Sequence, residues 1–197
     1  MALFRVLPVS ALAGKAHLAS PAAPQPLDKL LAEPALTAMT DLTQMPAASI
    51  SSDEPIGTAH QRMLERRVRM LFVLDHKQHV VGLVTNHDLL GEKPMQIVIS
   101  HDVRHDEIRV RDVMTTAEDV EVLDARELAG ARVGDIVETL RSHARQHALV
   151  VQHNADGAPE ICGVFSAADL SRKLGVPVVP VAVSHSFAEI EQALAQD

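Results

Sequence analysis

Gly82-Leu83-Val84-Thr85-Asn86-His87-Asp88-Leu89 and Gly163-Val164-Phe165-Ser166-Ala167-Ala168-Asp169-Leu170 are two copies of one phrase: glycine, two apolar residues, a hydroxyl residue, two variable positions, aspartate, leucine. A fixed-spacing echo of this kind marks a duplicated unit. Other matches stand in register with it. Val133-Gly134-Asp135-Ile136 answers Ile56-Gly57-Thr58-Ala59 at an offset of 77, which holds without a gap through Met63 against Leu140 and Val73 against Val150. The offset becomes 81 at the two glycines, so the second hairpin loop, His153 to Glu160, reads as four residues longer. Upstream, Ala38-Met39-Thr40 pairs with Val113-Met114-Thr115 at an offset of 75. The offset changes only between elements, where insertions are tolerated.

Local signals give each copy the same element order. Ser52 and Asp53 ahead of Pro55 read as a helix start, a side-chain oxygen capping free N–H groups and proline taking the first turn. Ile56, Ala59, Met63 and Val68 then form an apolar stripe at helical spacing. Met70 to Leu74 is a short continuous apolar run, a buried strand; residues 75–79 turn the chain, and Val80 to Thr85 returns it. Asn86 to Leu90 follows as a helix ended by Gly91. The second half repeats strand, helix, strand, strand, helix. A unit of this size has too little interior to be secure alone, and two copies facing each other through their sheets would share a core. Ser20-Pro21-Ala22-Ala23-Pro24-Gln25-Pro26 reads as part of an N-terminal arm. Val178 to Val183 reads as an edge strand limited by Pro177 and Pro180. A last helix has Ser186 and Glu189 in capping-box positions and Phe187, Ile190 and Leu194 on one face.

Composition excludes several classes. The 197 residues are 47% hydrophobic, ample for burial and against global disorder. A net charge of −8 disfavours a nucleic-acid backbone binder, which needs a basic face. With no Trp, no Tyr and four Phe, stacking platforms for single strands are hard to build. The lone Cys162 rules out an intrachain disulfide and, in the apolar run Ile161-Cys162-Gly163-Val164, reads as a small buried residue. No apolar run approaches the ~20 residues of a membrane helix. The Ala-rich start, Met1 to Ala16, is interrupted by Pro8 and Ser10 and carries only Arg5 as an early cation, so the expected location is the cytoplasm, without membrane or nucleic-acid partners.

The paired phrase, the two Met-Thr signatures and the element order resemble a tandem of cystathionine-β-synthase (CBS) domains, the Bateman module, over roughly residues 35–185. The resemblance implies an α+β fold of two pseudo-twofold-related βαββα units packed through their sheets, usually dimerised into a flat disc. The expected organisation is an arm at 1–34, a first unit at 35–100, a second at 101–183 and a C-terminal helix at 184–197. It also implies inter-unit clefts for adenine nucleotides or S-adenosylmethionine. Carried over residue by residue, the hydroxyl and aspartate of the motif become Thr85 and Asp88 in one cleft and Ser166 and Asp169 in the other, with each Asp on ribose hydroxyls. The backbone leading into the second strand, which in the family lies against adenine, corresponds to Val68, Arg69 and Met70, and to Gln146, His147 and Ala148. A basic or histidine side chain there reaches phosphate, which points to Arg69 and His147. The family's proline ahead of the apolar strand is missing, Met70 and Ala148 standing before Leu71 and Leu149, and Leu123 to Arg132 is longer than its first-half counterpart.

The residues alone leave alternatives open. Thr85-x-x-Asp88 and Ser166-x-x-Asp169 fit a hydroxyl N-cap with an acid three residues on, a helix cap with no further role. The same helix start offers N–H groups and a positive dipole end to phosphate. Arg62, Arg66, Arg67 and Arg69 suit a helix C-terminus on a solvated face, whereas Arg69 at the strand start also suits phosphate oxygens. His101 with His105, and His143 with His147, stand four apart, a spacing two metal ligands on one helical face would use. No third and fourth ligand accompany them, and no metal or other cofactor is expected. No nucleophile elbow and no Gly-Lys-Ser/Thr phosphate loop occurs, so no enzyme is expected. Two functions follow. One is a regulatory module, a homodimer that binds AMP, ADP, ATP or S-adenosylmethionine and signals to a protein partner in trans. The other is a ligand-free dimerisation scaffold whose contact face carries Phe187, Ile190 and Leu194.

Overall fold

A computed structural model describes residues 25–179, together with 7–10, 16 and 18. The expected C-terminal helix and most of the expected edge strand therefore lie outside the described residues. The first repeat contains β2 (Ser49–Ser51), α2 (Ile56–Arg66), β3 (Met70–Leu74), β4 (Val80–Thr85) and α3 (Asn86–Leu90), preceded by α1 (Leu27–Leu31) and β1 (Thr40–Asp41). Then come α4 (Lys93–His101), α5 (Val110–Val113) and β5 (Thr115–Thr116), and the second repeat: β6 (Val122–Asp124), α6 (Val133–Ser142), β7 (His147–His153), β8 (Pro159–Ser166) and α7 (Ala167–Leu174). The fold is α+β, as expected, with two four-stranded mixed sheets.

The sheets run β2-β3-β4-β5 and β1-β8-β7-β6. In each repeat the βαβ crossover makes a parallel pair, β2 with β3 and β6 with β7, and the hairpin makes an antiparallel one. The Met-Thr signatures form the remaining edge strands, and they are exchanged. Thr40 pairs with Val164 across β1 and β8, and Thr115 with Leu83 across β5 and β4. Each Met-Thr strand thus closes the sheet that holds the other repeat's phrase, and the two are stitched into one body.

Both hairpin strands are apolar on both faces because both faces are covered. Leu71 and Val73 of β3 point into a core with Ile56, Ala59 and Met63 of α2. Met70 and Phe72 point the other way and meet Leu83, Leu149 and Val164 in a layer between the sheets. Val150 and Phe165 face a third core with Ile136, Val137 and Leu140 of α6. A strand buried on two faces reads as a continuous apolar run rather than an alternating one. Cys162 is buried in this third core, and burial pushes its thiol up from the ordinary value.

Three local expectations are corrected. Ser52 and Asp53 do not cap α2: Pro55 is its N-cap, with no side-chain hydrogen bond. The chain there is held by a crossing segment instead, Ile56 N–H donating to Ile108 O, Val110 N–H to Glu54 O and Arg111 N–H to Ser52 O, while the Asp53 carboxylate pairs with Arg111. The four extra residues of the second hairpin lengthen its strands rather than its loop, adding the pairs Gln152–Glu160 and His153–Pro159. Val178 and Val179 are not in a strand; Val178 is buried, and its N–H donates to Ser171 Oγ at 2.8 Å. Beyond the proline-rich stretch, Leu30 and Leu31 of α1 pack on the second repeat's core, and Lys173 of α7 reaches back to Glu33 at 2.8 Å.

Candidate functional site

The starts of β3 and β7 and the end of β4 converge on a cavity of about 590 Å³ between the repeats. Its apolar side is made by Met70, Leu83, Val120 and Leu149. Its polar side takes Thr85, His87, Asp88 and Lys93 from one repeat and Arg145, Gln146 and His147 from the other, with Thr115, Asp119 and Glu121 from the connecting segment. A volume of this size, mostly apolar with a few convergent polar groups, is that of a small-molecule site. A second, more apolar cavity of about 750 Å³ lies at the opposite end of the sheets, lined by Leu42, Phe72, Leu74, Val80, Val151 and Ile161 among others.

The two phrases differ in what their hydroxyl and carboxylate do. At α3 the capping box is closed. Thr85 N–H and Oγ1–H donate to Asp88 Oδ2 at 2.9 and 2.6 Å, and Asp88 N–H donates back to Thr85 Oγ1 at 3.3 Å. The other carboxylate oxygen, Oδ1, accepts from Lys93 Nζ at 2.5 Å, and the same ammonium donates to Val113 O at 3.1 Å. Asp88 is only 6% exposed. Burial alone would push its carboxyl up, but Lys93 and the Thr85 donors together hold it below the ordinary carboxylate value. At α7 the corresponding arrangement is open: Ser166 is the N-cap but makes no side-chain capping bond. Asp169 has a side chain 45% exposed and pairs with Arg172 at 2.9 Å.

The remaining expected residues fall at different distances from the cavity. Met70 and His147 line it, with Gln146. His147 sits opposite Ser166 in the β7–β8 ladder. Burial lowers its imidazole from the ordinary value, Asp169 opposes that shift and Arg69 adds to it, so both charges act on His147. Arg69 is exposed and, like Ser166 and Asp169, does not line the cavity, Val68 packs on the first repeat's core, and Ala148 lines a small recess beside His147. Lys93, Asp119, Glu121 and Arg145 were not expected. The Lys93-Pro94 pair could have signalled the start of α4, since proline is favoured in a helix's first turn. Nothing in the sequence ties that lysine to Asp88.

His101 ends α4 while His105 opens a separate turn beyond Asp102, and His143 ends α6 while His147 starts β7. Neither pair shares a helical face. Among the described residues no group of three or more His, Cys, Asp or Glu is placed to hold a metal ion, and no helix is long and apolar enough to cross a membrane.

The family model of the CBS domain matches residues 39–94. Among solved structures, a protein from Pyrococcus horikoshii is 21% identical with a TM-score of 0.50, over 72% of this chain and 92% of its own. A CBS-domain protein from Burkholderia ambifaria is 17% identical with a TM-score of 0.50, over 65% and 82%. CBSX2 from Arabidopsis thaliana, crystallised with AMP, is 22% identical with a TM-score of 0.49, over 71% and 94%. At these identities the likeness is one of fold. No curated protein matches the chain.

Proposed function

We propose, from the premise that the chain is a CBS-domain protein with the fold of a tandem pair, that it is a non-catalytic regulatory module of the cytoplasm. It holds an adenine nucleotide between its repeats and signals to a partner protein as a homodimer. The observation that carries this reading is the 590 Å³ cavity into which both repeats send polar side chains. Met70, Leu83 and Leu149 offer an apolar surface for a purine. Beside His147 and outside the lining, the half-exposed Asp169 has one oxygen on Arg172 and keeps the other, unpartnered among the described residues, for ribose hydroxyls, whereas Asp88 already spends both oxygens on Thr85 and Lys93. A ligand that touches both repeats prefers one relative placement of the two sheets, and that preference is what a partner can sense.

Thermal melts of the full chain with AMP, ADP, ATP and S-adenosylmethionine test the reading. A ligand present at one hundred times its Kd adds about 2.7 kcal/mol, which raises the midpoint by roughly 5–10 °C. Asp169→Ala is expected to abolish the shift while changing the ligand-free midpoint little, because its only ion pair among the described residues is exposed. With no Trp or Tyr, co-purified adenine would also dominate the near-ultraviolet absorbance. The closed capping box at α3 favours a second reading, a ligand-free scaffold in which the phrase only starts helices. No melting shift with any of the four ligands would decide for the scaffold.

A further inference from the structure

The charges around the cavity leave little for a phosphate chain to bind. Its lining holds two cations, Lys93 and Arg145, against three carboxylates, Asp88, Asp119 and Glu121. Both cations already face a carboxylate. Lys93 has Asp88 Oδ1 at 2.5 Å and Val113 O at 3.1 Å, which occupy two of its three N–H donors. Arg145 has Glu121 at 3.6 Å. Asp119 accepts only the Thr116 hydroxyl, at 2.7 Å, and has no ion pair among the described residues. Near His147 Arg69 and Asp169 carry opposite charges, and burial lowers the imidazole from its ordinary value.

We infer that this cavity selects adenosine compounds without a polyphosphate, neutral adenosine or a cationic sulfonium nucleoside, over ATP. The inference rests on the nucleotide reading above and specifies its ligand class. A triphosphate would bring several negative charges to a perimeter already net negative, where each cation already faces a carboxylate. A sulfonium centre would instead be attracted by Asp119. Arg69 does not alter the balance, since it lies outside the lining and is opposed by Asp169.

Isothermal titration of the full chain with adenosine, S-adenosylmethionine and ATP reads the preference directly. Either of the first two is expected to bind at least roughly tenfold more tightly than ATP. Raising the salt should narrow the gap, because screening weakens the repulsion of ATP. Glu121→Gln, at an exposed position, releases Arg145 and is expected to shift the ratio several-fold toward ATP. ATP binding as tightly as adenosine and S-adenosylmethionine, or a ratio unchanged by Glu121→Gln, overturns the inference and leaves the nucleotide reading standing. If none of the three ligands binds, both fail together.

Discussion

Gly82→Ala is expected to destabilise the protein by about 3 kcal/mol, the upper end of what overpacking a core does, and Gly163→Ala by clearly less. Both glycines open a copy of the repeated phrase, and both lie where an exchanged edge strand crosses. A Cβ at Gly82 would press on the Thr115 carbonyl oxygen and carbon, backbone atoms fixed by the pairing of β5 with β4. A Cβ at Gly163 would meet Met39 instead, through Sδ, Cγ and Cε. An unbranched thioether can swing aside at modest cost, whereas a paired carbonyl moves only if the ladder moves. The comparison is made by urea denaturation: the midpoint of Gly82→Ala should fall furthest, with the slope unchanged. Equal or larger loss in Gly163→Ala would show that the exchanged strand is not what the first glycine accommodates.

Those glycines show how much of the architecture was legible in the sequence. The duplication, the α+β class, the buried strand Met70–Leu74 and the short helix Asn86–Leu90 all follow from apolar runs and local turn signals, and the structure has them. The exchange of edge strands does not follow. β1 and β5 are two residues each, too short to show any periodicity, and β1 joins a partner more than a hundred residues away. Similarly, an offset change of four cannot say whether residues were added to a loop or to the two strands beside it, and the ladder takes them. The cap expected at Ser52 fails for the same kind of reason. The crossing segment at Ile108–Arg111 supplies partners that no local pattern records.

The candidate site was legible by residue type but not by state. Thr85-x-x-Asp88 and Ser166-x-x-Asp169 look equivalent in sequence, yet one is a closed box and the other is open. Asp169 pairs with Arg172 on its own helix, whereas Asp88 is held by Lys93, brought by a helix that the repeat pattern does not include. At the offset of 81 that relates the phrases, its counterpart is Leu174, a core residue. The duplication thus gave both repeats the same motif, and differently placed cations pair its two carboxylates.

Lys93→Met is therefore expected to lower stability by about 2 kcal/mol at pH 7, below the full cost of orphaning a buried charge because the lysine is itself half-exposed. For a chain of this size that is a fall in melting midpoint of roughly 4–8 °C. The pH dependence identifies the cause. In the native protein the Asp88 carboxyl titrates below its unfolded value, so the stability it contributes is fully present above about pH 4 and is lost as the pH falls through the folded value. Without the lysine the burial remains and its main opponent is gone, so the folded carboxyl rises. The gap between variant and native protein should then be widest at neutral pH and close as acid protonates Asp88 in both. A loss that stays constant from pH 7 to about pH 3.5 would mean that only packing was removed. Adding Asp88→Asn to Lys93→Met should recover part of the loss, because the uncompensated charge is then absent. On the nucleotide reading proposed above, the same lysine guards the carboxylate from ligand. Once Oδ1 is free, adenosine, which carries no charge for the lost ammonium to attract, should bind the Lys93→Met protein more tightly than the native one. A stability loss coupled to that gain is what a residue standing in for ribose would produce, and a purely structural lysine would give the loss alone.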